Sequence, residues 1–110
     1  MARRFSPQVL KSAAISLTET GTVISAVTGK RLKVYAVKLT CSAAQTVKWR
    51  DGATPDLEGA QSIAATGGYT ESVTPPAYLF RTSRGNTLDL VITGVGTVGG
   101  RVSYWDDDAD

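Results

Sequence analysis

In the last third of this chain Leu88, Leu90 and Ile92 alternate with Asp89, Val91 and Thr93. A pleated strand puts the first three on one side and the others on the opposite side, whereas a helix would scatter them around its axis. A glycine-rich stretch, Gly94-Val95-Gly96-Thr97-Val98-Gly99-Gly100, follows and leads into Arg101-Val102-Ser103-Tyr104-Trp105. The break lets the chain reverse, so the segment reads as a closing β-hairpin. No stretch of the sequence carries a convincing helical period, and the constraint set here extends to the whole chain.

Upstream, Val9 to Leu17 and Thr22 to Val27 read as strands split by Glu19-Thr20-Gly21, and Thr28-Gly29-Lys30 is a turn before the longest apolar run. In that run Leu32, Val34 and Ala36 share one face, while Tyr35, Val37, Leu39 and Cys41 share the other. A strand apolar on both faces is either central in a sandwich or covered by a neighbouring subunit. Thr46 to Asp51 places Val47 and Trp49 inward and ends at the Asp51-Gly52 turn. Residues 52–60 form a loop anchored by Leu57, and short strands follow near Ser62 to Ala65 and Tyr69 to Val73. Beyond Pro75-Pro76, which no central strand accommodates, Ala77 to Arg81 carries Tyr78 and Phe80 facing the same way. These segments make an all-β chain: a single sandwich, resembling a jelly roll, of about eight or nine short antiparallel strands.

A chain of 110 residues is enough for one domain with its own core, and a 42% hydrophobic share is ordinary for a folded protein. The single Cys41 has no internal disulfide partner and reads as a small buried hydrophobe. Met1-Ala2-Arg3-Arg4 is basic, but Phe5-Ser6-Pro7-Gln8 follows rather than the apolar core of a signal peptide, and nothing has the length of a membrane span. The expectation is synthesis in a cytoplasm and no membrane partner.

The chemistry-bearing residues argue mostly by absence. There is no His, and one Cys builds no zinc site, so neither the commonest general base nor a common metal set is at hand. No Ser has a His partner or a nucleophile-elbow context. The reading is therefore not an enzyme, with no cofactor, no metal and no small-molecule substrate. Asp106-Asp107-Asp108, with Asp110 beyond, reads as a solvated acidic tail, because consecutive side chains of an extended segment point in alternating directions. The basic set Lys30, Arg31, Lys33, Lys38, Lys48 and Arg50 lies near Tyr35 and Trp49. Its aromatic and basic faces do not coincide, and a net charge of +2 attracts phosphate weakly, so nucleic acid is not the expected partner. Charge is uneven along the chain: residues 1–50 hold nine Lys or Arg against Glu19 alone, and residues 51–110 hold three against nine acidic residues. Cross-strand pairing absorbs part of that asymmetry, and complementary patches between subunits are its other reading.

The order Lys33-Val34-Tyr35-Ala36-Val37-Lys38-Leu39, Val47-Lys48-Trp49-Arg50-Asp51-Gly52, Asp56-Leu57-Glu58-Gly59-Ala60 and Ala65-Thr66-Gly67-Gly68-Tyr69 is similar to small tailed-bacteriophage virion proteins. Tyr78-Leu79-Phe80-Arg81-Thr82, Gly85-Asn86-Thr87-Leu88-Asp89-Leu90 and Val98-Gly99-Gly100-Arg101-Val102-Ser103-Tyr104 continue the pattern, which spans residues 31–105. In particular the chain resembles the capsid decoration, or cement, class. That resemblance implies a jelly-roll-like sandwich on the outer surface of a virion, binding the major capsid protein and clamping neighbouring capsomers, with no catalytic residue carried over.

The resulting expectation is an N-terminal arm over 1–8, a sandwich over 9–105 and an acidic tail over 106–110. Arg3, Arg4, Phe5, Tyr35 and Trp105 are the candidate contacts with capsid or a second subunit. The two-faced strand Leu32 to Cys41 adds an expectation of a homodimer or homotrimer. The alternative is a tail or fibre module that recognises a carbohydrate or host surface, which needs Tyr69, Tyr78 and Trp105 to converge on one loop end. The expected core comprises Val34, Val37, Leu39, Val47, Trp49, Leu57, Phe80, Leu88, Leu90, Ile92, Val102 and Tyr104.

Overall fold

The computed structural model describes residues 9–52 and 55–108. The proposed arm, with Arg3, Arg4 and Phe5, lies outside them. Among the described residues nine strands form: β1 (Lys11–Leu17), β2 (Gly21–Ile24), β3 (Arg31–Cys41), β4 (Gln45–Asp51), β5 (Gln61–Ile63), β6 (Gly68–Ser72), β7 (Phe80–Arg81), β8 (Leu88–Thr93) and β9 (Val98–Asp107). They make two antiparallel sheets, one in the order β1-β9-β3-β6 with β7 also on β3, the other in the order β2-β8-β4-β5. The pairs β1/β2, β3/β4, β5/β6 and β8/β9 each place one strand in either sheet. That is the connectivity of a jelly roll, as expected from the sequence.

The closing segment is not a hairpin. β8 pairs with β2 and β4, while β9 pairs with β1 and β3, so Gly94–Thr97 carries the chain from one sheet to the other. Alternation reveals a strand's inward face and not its partner; Leu88, Leu90 and Ile92 face Val98 and Val102 across the core instead of beside them. The crossing is tied to the β3–β4 corner. Ser42 N donates to Thr97 O at 2.9 Å, Thr97 N donates to Ser42 Oγ at 2.7 Å, and the Gln45 amide donates to Val95 O.

Strand β3 also departs from the pattern expected of it. Val34 pairs with Tyr104 and Ala36 with Ser103, leaving Tyr35 as an extra residue in a β-bulge. One inserted residue reverses the parity of everything after it. Leu32 and Val34 before the bulge therefore face the same core as Val37, Leu39 and Cys41 after it, all 3% exposed or less. The strand is apolar on one face only, and the argument from it for a covering subunit falls away.

The interior is filled by Trp49, Leu32, Leu39, Leu88, Leu90, Val34, Val37, Val47, Val98 and Val102, with Ile15, Ile24, Ile63, Phe80 and Ile92 around them. Of the expected core, Leu57 and Tyr104 are only half-buried, packing against it from loop and strand end. Trp49 and Phe80 stack across the sheets with ring centroids 5.5 Å apart. Tyr78 and Phe80 do not face the same way, because residues 77–79 are not strand: Phe80 is in the core and Tyr78 sits over the outside. A Cβ at Gly100 would lie 1.8 Å from the Lys38 carbonyl oxygen, and one at Gly68 would lie 2.0 Å from that of Leu39. One glycine of each pair, Gly68 and Gly100, is thus required by close strand approach, whereas Gly99 has room for a Cβ.

At the other end of the domain Asp51, 4% exposed, receives Ser83 N at 2.9 Å, Ser83 Oγ at 2.7 Å and Asn86 Nδ2 at 2.9 Å, locking the turn before β8 to β4. β9 continues to Asp107, so Asp106 and Asp107 belong to the sheet and not to a solvated tail.

Candidate interaction surface

The extra residue at Tyr35 interrupts the edge on which β6 and β7 pair with β3. Residues 73–79, with a cis Pro75-Pro76 peptide, bridge that interruption by donating Val73 N to Tyr35 O at 2.8 Å and Leu79 N to Val34 O at 2.7 Å. The excursion folds Tyr78 back over the outer face of the five-stranded sheet. There its ring meets Trp105 edge-on at 6.4 Å, and Trp105 lies 6.0 Å from Tyr35. Lys33 Nζ and the Arg81 guanidinium lie 5.5 and 6.0 Å from the Tyr78 ring centre, within cation–π range. Lys33 Nζ pairs with Asp107 Oδ1 at 2.8 Å, and Trp105 Nε1 donates to the other oxygen at 2.9 Å. Asp106, one residue earlier and on the other side of the strand, pairs with Lys11 at 2.6 Å.

This cluster places the two candidate contact residues that are described. Trp105 is 1% exposed and Tyr35 half-buried. Trp105 therefore supports the outer face from beneath, and Tyr78, 38% exposed, is the ring that reaches solvent. The three aromatics of the tail-module alternative do not converge: Tyr69 turns inward, and its hydroxyl accepts from Trp49 Nε1 at 3.1 Å. Burial pushes the Tyr69 phenol up to about 12.

Beyond the cluster the same face runs along β1, β9, β3 and β6. Its residues are Ser12, Ala14 and Ser16 on β1, Ser103 on β9, Ala36 and Thr40 on β3, and Thr70 and Ser72 on β6, and among these small side chains stand two long ones, Lys38 and Arg101. Lys38 and Arg101 are direct cross-strand partners, both exposed. Among the described residues neither has an ion pair or a hydrogen bond from its side chain. Together with Ala36, Val37, Thr70 and Ser103 they line an open depression of about 320 Å³. The outer face of the other sheet is different. Lys48 pairs with Asp56 at 3.0 Å, Arg50 approaches Asp89 to 3.9 Å, and Asp89 also accepts from Thr22 Oγ1 at 2.9 Å.

Sequence reading placed Lys38 in a diffuse basic set and gave Arg101 no role. The signal that joins them is the register of β3 on β9, which depends on the bulge and is invisible to spacing. Elsewhere Glu58 and Glu71 lie close enough to interact; burial, then the Glu71 charge, raises the Glu58 carboxyl above its ordinary range. Burial also raises the Cys41 thiol. Among the described residues no group of three His, Cys, Asp or Glu is arranged to hold a metal ion, and no helix is long and apolar enough to cross a membrane.

No protein-family profile matches this chain, and no curated protein sequence matches it. A chain in the cryo-EM structure of the giant freshwater prawn Macrobrachium rosenbergii extra small virus (XSV) virus-like particle is similar to it at 14% identity, over 96% of this chain and 83% of that one, with a TM-score of 0.41.

Proposed function

We propose that this protein is a structural component of a bacteriophage virion that binds the outer surface of the capsid and stabilises it by clamping neighbouring capsomers. Two lines support the reading. One is the order of motifs over residues 31–105, whose glycines and buried aromatics hold a jelly-roll sandwich together. The other, which carries it, is the asymmetry between the two outer faces. One sheet neutralises its cations internally, while the other offers a broad field of small side chains with an uncompensated cation pair, the kind of face that a second protein surface completes. Contacts of this sort, repeated around a symmetric shell, add as linked binding events and need no reaction chemistry. Residues 1–8, with Arg3, Arg4 and Phe5, are proposed as an arm that adds contacts to a neighbour; Val9 and Leu10, 72% and 52% exposed just before β1, extend its apolar character.

The test is co-sedimentation of the purified protein with capsids of the encoding phage that lack it, scored alongside capsid melting temperature. Saturable binding that raises the melting temperature is expected, with lower occupancy when residues 2–6 are deleted. Absence of binding by the full chain overturns the reading, and full occupancy by the truncated chain removes the arm from it.

A further inference from the structure

We propose that Lys38 and Arg101 form a two-cation seat for a single carboxylate side chain presented by a capsid subunit; the inference rests on the reading of this face as the docking face. Like charges directly opposite each other on paired strands are destabilising, because their Cβ atoms lie only about 5 Å apart. Four other cations among the described residues are met by an acid of this chain: Lys11 by Asp106, Lys33 by Asp107, Lys48 by Asp56 and Arg50 by Asp89. The acids on the four strands around Lys38 and Arg101 do not pair with them: Asp106 and Asp107 meet Lys11 and Lys33, and Glu71 on β6 stands in register with the inward-facing Val37, on the other side of the sheet. Their outer-face neighbours are Thr70 on β6, Ala36, Thr40, Gly99 and Ser103 along β3 and β9, and Ala14 on β1.

The depression between them has the chemistry of an anion seat. Two cations flank it, and the Thr70 and Ser103 hydroxyls line it as further donors. The small side chains around it let another protein's surface approach closely. That approach would exclude water and strengthen charge-assisted hydrogen bonds to a carboxylate. A nucleic acid is the weaker fit. Two phosphate contacts give a salt dependence of only about 1.8 in the log–log slope, against the six to ten contacts on which tight binders rely.

Two measurements on the full chain test the seat. In the first, amide chemical shifts are followed during titration with a hexaglutamate peptide, with inorganic phosphate and with a 12-nucleotide single-stranded DNA. Saturable shifts at Lys38, Thr70, Arg101 and Ser103 with hexaglutamate, lost in the double variant Lys38→Gln/Arg101→Gln, are expected. Equal or stronger shifts with phosphate or DNA overturn the carboxylate assignment, and silence at these residues overturns the seat. In the second, Lys38→Glu/Arg101→Glu is co-sedimented with capsids. Both residues are exposed, so the fold should survive, and circular dichroism checks it. A loss of occupancy of at least tenfold relative to the wild type supports the seat, and unchanged occupancy overturns it while leaving capsid binding intact. Should the wild type itself not bind capsids, the capsid partner falls with the functional reading, and the peptide titration alone decides the cation pair's chemistry. Self-association abolished by the same variant would assign the seat to a second copy and overturn the capsid subunit as partner.

Discussion

Trp49 Nε1 donates to the Tyr69 hydroxyl 3.1 Å away, joining β4 of one sheet to β6 of the other across the interior. Each is the other's polar partner at a site from which water is largely excluded. Tyr69→Phe leaves the buried indole N–H without its acceptor. The expected cost is about 1–3 kcal/mol, read from urea unfolding followed by Trp fluorescence, and a cost under about 0.3 kcal/mol would show that water replaces the hydroxyl freely.

Leu90 is fully buried opposite Trp49 in the register of β8 on β4. Leu90→Ala should cost about 2–5 kcal/mol. A loss below about 0.5 kcal/mol, typical of surface sites, would mean that β8 presents the opposite face to the core.

The bulge makes a sharper prediction. Deleting Tyr35 removes the one extra residue, so Leu32, Val34, Val37, Leu39 and Cys41 alternate strictly and all still face the core. That variant should still unfold cooperatively. Deleting Lys38 instead, within the regularly paired part of β3, turns Leu39 and Cys41 out of the core, and this variant should lose the cooperative transition. A cooperative melt from the Lys38 deletion but not from the Tyr35 deletion would contradict the assigned register.

Lys33 is buried and its charge is met by Asp107. Asp107→Ala leaves that cation uncompensated; because the carboxylate is partly exposed, the expected cost is about 2 kcal/mol, below that of a fully buried pair. Adding Lys33→Met to the same variant should recover most of it. If the double variant is no more stable than Asp107→Ala, the ion pair is not what the single change disturbs.

Glu58 gives the pH prediction. Burial and Glu71 raise its folded-state pKa above the ordinary 4.5, so the folded chain holds this proton more tightly than the unfolded one. The group's contribution is then most favourable below pH 4.5 and is lost as pH rises through the higher folded value. Glu58→Gln should raise the melting temperature at pH 7 and lose that advantage at pH 4. An equal shift at both values would exclude ionisation as the cause.

Alternation in Leu88–Thr93 and Thr46–Asp51 was enough to read all-β structure, nearly every strand and most of the core, because side chains of an extended chain must alternate and apolar ones must be covered. Local pattern also separated Asp106 from Asp107, which pair with cations on opposite sides of β9. Partners were not legible. The hairpin expected around Gly94–Thr97 is an inter-sheet crossing, since two inward faces separated by a short loop fit either arrangement until the rest of the sandwich is present. The two-faced appearance of Leu32–Cys41 came from one unseen bulge residue. Tyr35 changes parity without altering composition, and only pairing against β9 reveals it. The same register sets Lys38 opposite Arg101, residues 63 positions apart in the chain. Sequence by itself therefore determined which segments are strands and which side chains seek the interior, through local sterics and hydrophobicity. Tertiary structure alone decided which strands pair, where the bulge falls and which charges remain uncompensated, because each depends on contacts between residues far apart in the chain.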